Sequence, residues 1–328
     1  MKICYLSNSA MPSKNASAIQ IVKMCEAFSQ LNNEVVLITT NVFQYNTSIF
    51  KFYDVKKKFI LDRVKNFEKF PLGKNYNFFS IFSILKSFKY KPDIYITRNF
   101  FSCFLLVLLR KRIVIELHHG LDMESRVVRF LVKYLNFLNS NKIVKAIAIT
   151  KNVRDYFLKY HRVKKDKFLI LPSGTSIKKK YFNPKKRNSL NIGYLGSLYK
   201  SRGSNLIIKL AQIDNSNNYY LYGDNKNLEK KNFIRSIKNL RLKNQVPYKE
   251  ISKILSTMDV LIMPYTSSVT VSGDVGDITN FTSPLKLFDY LSMGKTILCS
   301  NLDVLREVVK EKKNVVFINN FENIYAWK

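Results

Sequence analysis

Asn191-Ile-Gly193-Tyr-Leu-Gly196-Ser197-Leu-Tyr-Lys200-Ser-Arg202-Gly203 runs from an apolar strand through a glycine turn to a basic residue at the mouth of a helix. Such a handover turns free backbone N–H groups toward one point and a guanidinium adds fixed charge, so the segment reads as an anion site. Farther along, Ser283-Pro284-Leu285-Lys286-Leu-Phe-Asp289-Tyr-Leu-Ser-Met-Gly294-Lys295 opens a second helix with Ser-Pro, a favoured N-cap and first-turn pair, and then presents a carboxylate. A diphosphate suits the N–H groups and ribose hydroxyls suit the carboxylate. The pair therefore fits a nucleotide-sugar.

Outward from these segments, short β-branched runs alternate with helical stretches. Strands are predicted at 2–6, 34–39, 94–97, 113–117, 146–150 and 168–171, then at 191–195, 219–222, 260–263, 296–299 and 315–318, with helices between them, notably 19–31 and 127–137. This alternation implies parallel sheets covered by helices on both faces, with ligands at the carboxyl ends of the strands. The polar, lysine-rich 176–188 suits a linker between a first domain over 1–175 and a second over 189–328. Two Rossmann-like, doubly wound domains facing across a cleft are expected.

Composition narrows the class. The 328 residues are 46% hydrophobic, enough to bury two cores. Cys4, Cys25, Cys103 and Cys299 lie apart in apolar runs without metal-ligand spacing and read as buried thiols in a reducing cytosol. Met1-Lys-Ile-Cys-Tyr-Leu is strand-like rather than a signal peptide, and the longest apolar run, 100–109, is half a membrane span, so a cytoplasmic chain is expected. The net charge of +32 partly reflects a lysine-, asparagine- and isoleucine-rich bias, yet clusters at 56–58, 86–91 and 178–180 would attract an anionic membrane surface. Nucleic acid is disfavoured as a partner, because no recognition motif accompanies the charge.

Taken in order, the motifs resemble those of the GT-B-fold, retaining family 4 glycosyltransferases that build bacterial surface polysaccharides such as lipopolysaccharide or capsule. The matching segments are Tyr5-Leu-Ser-Asn-Ser-Ala-Met-Pro12, Ile115-Glu-Leu-His118-His119-Gly120, Leu171-Pro-Ser-Gly174, Gly193 to Gly203, Val246-Pro-Tyr248, Met258-Asp to Tyr265, and Ser283 to Lys295. The resemblance implies a sugar moved from a nucleotide-sugar donor, UDP- or GDP-linked, to a glycan or lipid-linked acceptor, without a further cofactor. It gives Arg202, with Gly196, Ser197, Lys200 and Gly203, to the donor diphosphate. Ser283, Pro284, Leu285 and Lys286 surround the same group. Asp289 receives the ribose hydroxyls, Val246 and Tyr248 line the base, and His118, with His119 in reserve, meets the donor sugar. Asn15 stands in the loop after the first strand, where the family commonly carries glycine.

Two departures matter. The family's usual Glu at position 289 is Asp, and its partner acid is replaced by Phe281, for which Asp274 or Asp277 could substitute. The chain also ends about where the family begins its last helices, so these are expected to be missing. No Asp-x-Asp pair ends a strand, so charge on the leaving group is expected to be met by Arg202, Lys286 and helix ends rather than by metal. An epimerase of the same architecture and a basic non-catalytic binding protein are the alternatives, whereas an oxidoreductase would need a G-x-G-x-x-G turn after the first strand. Finally, Phe78, Ile81, Phe82, Leu85 and Phe88 recur at helical spacing beside lysines, which suits either a core face or a lipid boundary.

Overall fold

The computed structural model describes residues 1–41, 48–65, 75–177, 188–225, 228, 231–270, 276–309 and 315–328. Lys178, Lys179, Lys180, Asp274 and most of the expected linker lie outside the described residues. The chain divides into two compact units, Met1–Pro172 and Ser173–Lys328.

The first unit holds strands β1 (Lys2–Met11), β2 (Glu34–Asn41), β3 (Ile60–Val64), β4 (Ile94–Thr97), β5 (Ile113–Leu117), β6 (Ile143–Ala148) and β7 (Phe168–Ile170). Their order in the sheet is β3-β2-β1-β4-β5-β6-β7, and every pairing is parallel. Helices α1 (Ala16–Gln30), α2 (Ile49–Phe52), α3 (Asn75–Ser87), α4 (Phe100–Leu108), α5 (Arg126–Leu135) and α6 (Lys151–His161) connect them. The last three are started by capping side chains: Asn99, Ser125 and Thr150 each accept a hydrogen bond from the N–H three residues on.

The second unit holds β8 (Asn191–Leu195), β9 (Asn218–Gly223), β10 (Leu240–Asn244), β11 (Val260–Met263), β12 (Thr296–Ser300) and β13 (Val315–Ile318) in the order β10-β9-β8-β11-β12-β13, again parallel. Helices α7 (Ser204–Ile213), α8 (Lys231–Ser236), α9 (Tyr248–Ser256), α10 (Leu285–Ser292) and α11 (Asp303–Arg306) complete it. Central strands such as β4 and β8 are buried throughout, which is why they read as unbroken apolar runs.

Two strands escaped the sequence reading, β3 and β10. Both are edge strands, and edge strands carry charges that blunt further pairing and blur their alternation.

In both sheets the order in which successive strands are added reverses at one place, between β1 and β4 in the first and between β8 and β11 in the second. In open α/β sheets ligands bind beyond the strand ends at such a switch point, because the loops there diverge and leave a crevice.

Helix α3 is built opposite to the usual amphipathic rule. It buries Phe79 and Ile84 together with Ser80, Ser83 and Ser87, while Ile81, Phe82, Leu85 and Phe88 are 38–57% exposed. The inward serines allow close approach: Ser102 of α4 donates to Ser80 Oγ at 2.8 Å, and the Ser87 and Tyr95 hydroxyls lie 2.9 Å apart. The apolar stripe singled out in the sequence is therefore not the core face.

Candidate active site

At the switch point of the second unit, the loop after β8 is pinned to the loop after β11. Thr266 N donates to Ser201 O at 3.2 Å, and Ser201 and Thr270 share a hydroxyl hydrogen bond of 2.6 Å. Gly203 is required there, since its φ is +77° and a Cβ would stand 1.8 Å from Pro264 O.

This junction brings two cations to one ring. The Arg202 guanidinium lies 4.8 Å from the Tyr265 ring and donates to Thr270 O, and Lys286 Nζ lies 5.2 Å from the same ring on its way to Tyr194. There Lys286 sits 4.0 Å from the Tyr194 ring and donates to its hydroxyl at 2.6 Å. A Cβ at Gly196 would fall 2.4 Å from Lys286 Nζ, so this glycine leaves the space the ammonium fills. Burial, followed by the Arg202 charge, holds the Lys286 pKa well below the ordinary lysine value. Among the described residues no carboxylate pairs with either cation. The i to i+3 ion pair with Asp289 that their spacing allowed is absent.

Asp289 points elsewhere. It is 5% exposed, accepts from Thr175 Oγ1 at 2.5 Å and from Tyr248 OH at 3.4 Å, and burial outweighs both bonds to push its carboxyl up to about 6. Beside it Ser283 does not cap the helix as expected. The cap is Pro284, α10 begins at Leu285, and Ser283 Oγ accepts from Ser173 N at 3.0 Å while Ser173 Oγ donates to Ser283 O at 2.8 Å. The segment 173–175 is thus tied to the start of α10.

Among the other expected residues, Ser197 and Lys200 are exposed in the turn after β8, Val246 and Leu285 are half-buried, and Tyr248 is buried as the first residue of α9. Asp277 is a satisfied turn residue, bonded to the Thr279 N–H and hydroxyl and to Ser268. Missing from the sequence reading were Tyr194, Tyr265 and Thr175. Apolar runs hid both tyrosines, and no motif spacing links Thr175 to Asp289.

The first unit presents its own constellation at its switch point. Glu116 of β5 accepts from Arg98 Nε at 2.7 Å and from Tyr5 OH at 2.9 Å, with His118 Nε2 at 3.4 Å. Arg98 offsets the cost of burial and holds Glu116 well below the usual carboxylate range, whereas burial and the same arginine press His118 down to about 4. His119 instead bonds Gly120 O through Nδ1 at 2.8 Å. Asn15 is exposed at the start of α1. Among the described residues no group of three His, Cys, Asp or Glu side chains is placed to hold a metal ion.

Residues 17–179 match the family described as Glycosyltransferase Family 4. The chain is a glycosyltransferase that carries a Family 4 domain, and its fold is GT-B. No curated protein matches it. Solved structures match along nearly its whole length at low identity. A glycosyltransferase from Rickettsia africae ESF-5 aligns with TM-score 0.68, 13% identity, 99% of this chain and 88% of that one. Anabaena Alr3699/HepE in complex with UDP and glucose aligns with TM-score 0.65, 13% identity, and 97% and 86% coverage. A UDP-N-acetylglucosamine 2-epimerase of Listeria monocytogenes also aligns, with TM-score 0.58, 11% identity, and 98% and 85% coverage. The fold is thus shared by transferases and an epimerase, and it is the family match that separates them for this glycosyltransferase.

Proposed function

We propose that this glycosyltransferase takes a sugar from a UDP-sugar and transfers it, with retention and without a metal ion, to a glycan or lipid-linked acceptor of a bacterial surface polysaccharide. The observation that carries the donor assignment is the pair of cations, Arg202 and Lys286, gathered at one tyrosine ring without a carboxylate partner among the described residues. Two like charges held together at a switch point call for a dianion, and a diphosphate supplies one. Asp289, held among hydroxyls, suits the ribose; UDP in the Anabaena relative supports uridine as the base.

In the transfer, the bond from C1 to the diphosphate oxygen breaks as the acceptor oxygen bonds to C1 on the same face. The acceptor proton passes to the departing phosphate. The charge that develops on the diphosphate meets Arg202, Lys286 and the first N–H groups of α10, which is electrostatic stabilisation of the transition state. Arg202→Ala should leave the protein folded and cost on the order of 3 kcal/mol, roughly a hundredfold in turnover. Turnover near that of the wild type would remove the phosphate role.

The acceptor side is proposed to work at the inner face of the membrane. Ile81, Phe82, Leu85 and Phe88 face outward, and Lys111 reaches over the Phe88 ring at 5.5 Å. Lys86 and Lys89 are partly neutralised by Asp62, at 2.8 and 2.9 Å. Attraction to anionic lipid must therefore come from the wider basic surface. Among the described residues no helix is long and apolar enough to cross a membrane.

A further inference from the structure

Helix α5 turns two ridges of different chemistry outward. Arg126, Arg129 and Lys133 recur at i, i+3 and i+7, and Val127, Phe130 and Tyr134 repeat that spacing one residue later, so the two sets run side by side along the helix. Both are exposed. Val127, Phe130 and Tyr134 are 50–62% exposed, and of the ten residues of the helix only Val128 and Val132 are buried. The ridges touch: the Phe130 and Tyr134 rings lie 4.9 Å apart, and Lys133 Nζ stands 5.3 Å from the Tyr134 ring.

Among the described residues none of these three cations has a carboxylate partner. The acids just before the helix are engaged elsewhere, Asp122 accepting from Tyr156 OH at 3.4 Å and Glu124 lying 3.8 Å from His119 Nε2. Helix α3 is the opposite case, since Asp62 holds both Lys86 and Lys89. The two helices share a layer. Strands β4, β5 and β6 are added in one direction, which by right-handed crossover puts α4 and α5 on one face of the sheet, and α4 packs against both α3 and α5.

We propose that α5 is the element that recognises lipid charge: it lies along an anionic bilayer surface with Arg126, Arg129 and Lys133 on headgroup phosphates and Val127, Phe130 and Tyr134 at the acyl boundary. The assignment rests on the membrane placement above and deepens it by naming the helix and the lipid chemistry. Only a bilayer matches both ridges. A soluble polyanion would neutralise the cations and leave the apolar ridge in water, and a second copy of the face would set like charges against one another.

Phe130→Trp in the full chain gives the readout, because the one native tryptophan, Trp327, is buried in the second unit and serves as a constant background. On vesicles containing phosphatidylglycerol the new indole should shift to the blue and be quenched by brominated acyl chains, with neither effect on pure phosphatidylcholine. Changing Arg126, Arg129 and Lys133 together to glutamine should weaken binding to the anionic vesicles on the order of a hundredfold, roughly fivefold for each cation. The melting point should hold, since all three are exposed. If it falls, the indole signal decides alone. Anionic vesicles that bind the protein without shifting the indole overturn the role of α5 and leave the membrane placement standing. An equal shift with polyphosphate in the absence of lipid overturns it in favour of a soluble polyanion. No binding to anionic vesicles at all overturns both this assignment and the membrane placement.

Discussion

Replacing Lys286 with methionine should separate stability from catalysis. In the ligand-free protein the ammonium is a burdened group: it is desolvated and shares the neighbourhood of the Arg202 guanidinium. Methionine keeps the length and apolar stem. The substitution removes one hydrogen bond to Tyr194, about 1 kcal/mol net, and one cation–π contact of similar size. Tyr194 itself remains satisfied, since its hydroxyl still donates to Ser197 O at 2.7 Å. Relief of desolvation and of like-charge repulsion offsets these losses, so the net change is within about 1 kcal/mol and the Tm shift within roughly 4 °C for a protein of this size. The transition state loses a preorganised charge against the departing diphosphate, which costs about 2.7–4 kcal/mol, or roughly a hundred- to a thousandfold in kcat. Thermal melting and steady-state transfer kinetics on the same preparation provide the comparison. Turnover within about threefold of wild type would refute the diphosphate role, and a large fall in Tm would make Lys286 a structural residue instead.

Asp289 titrates at about 6 because burial favours its neutral form, so the carboxylate needed by the ribose is present only above that value. UDP affinity should therefore strengthen as pH rises from 5 to 7, and Asp289→Asn should weaken binding and remove the part of the pH dependence that UDP's own ionisation does not explain. The linked stability has the opposite sign: the raised value stabilises the fold at low pH, and this contribution is lost as pH rises through about 6, so the Asn variant should gain on the wild type toward neutrality in urea titrations. Transfer should persist in excess EDTA; restoration of lost activity by Mg²⁺ or Mn²⁺ would show that Arg202 and Lys286 do not suffice. Co-sedimentation with anionic vesicles should be salt-sensitive and should drop when Ile81, Phe82 and Leu85 are changed to serine, with the melting point kept because those side chains face outward. Binding unaffected by the triple change would move the membrane contact off α3.

Much of the architecture followed from local rules. Strands buried on both faces had to be short apolar runs, and the handover at Gly193 to Gly203 could be read as a turn because only glycine tolerates its backbone and its contact with Pro264. The candidate residues Arg202, Lys286 and Asp289 were likewise visible. Their environments were not. That Lys286 turns to Tyr194 instead of its helix neighbour Asp289 follows from the pairing of β8 with β11, which draws together residues 92 apart. Thr175 reaches Asp289 across 114 residues, and Tyr5 reaches Glu116 across 111. Helix α3 shows the same limit in packing: its periodicity marked two faces, but close approach to α4 put the serines inside beside Phe79 and left Ile81, Phe82 and Leu85 outside. Sequence determined which elements form and which chemistries are present, because these depend on neighbours along the chain. Tertiary structure alone decided which groups meet, and hence their protonation and charge balance, because desolvation and Coulomb energy depend on distance in space.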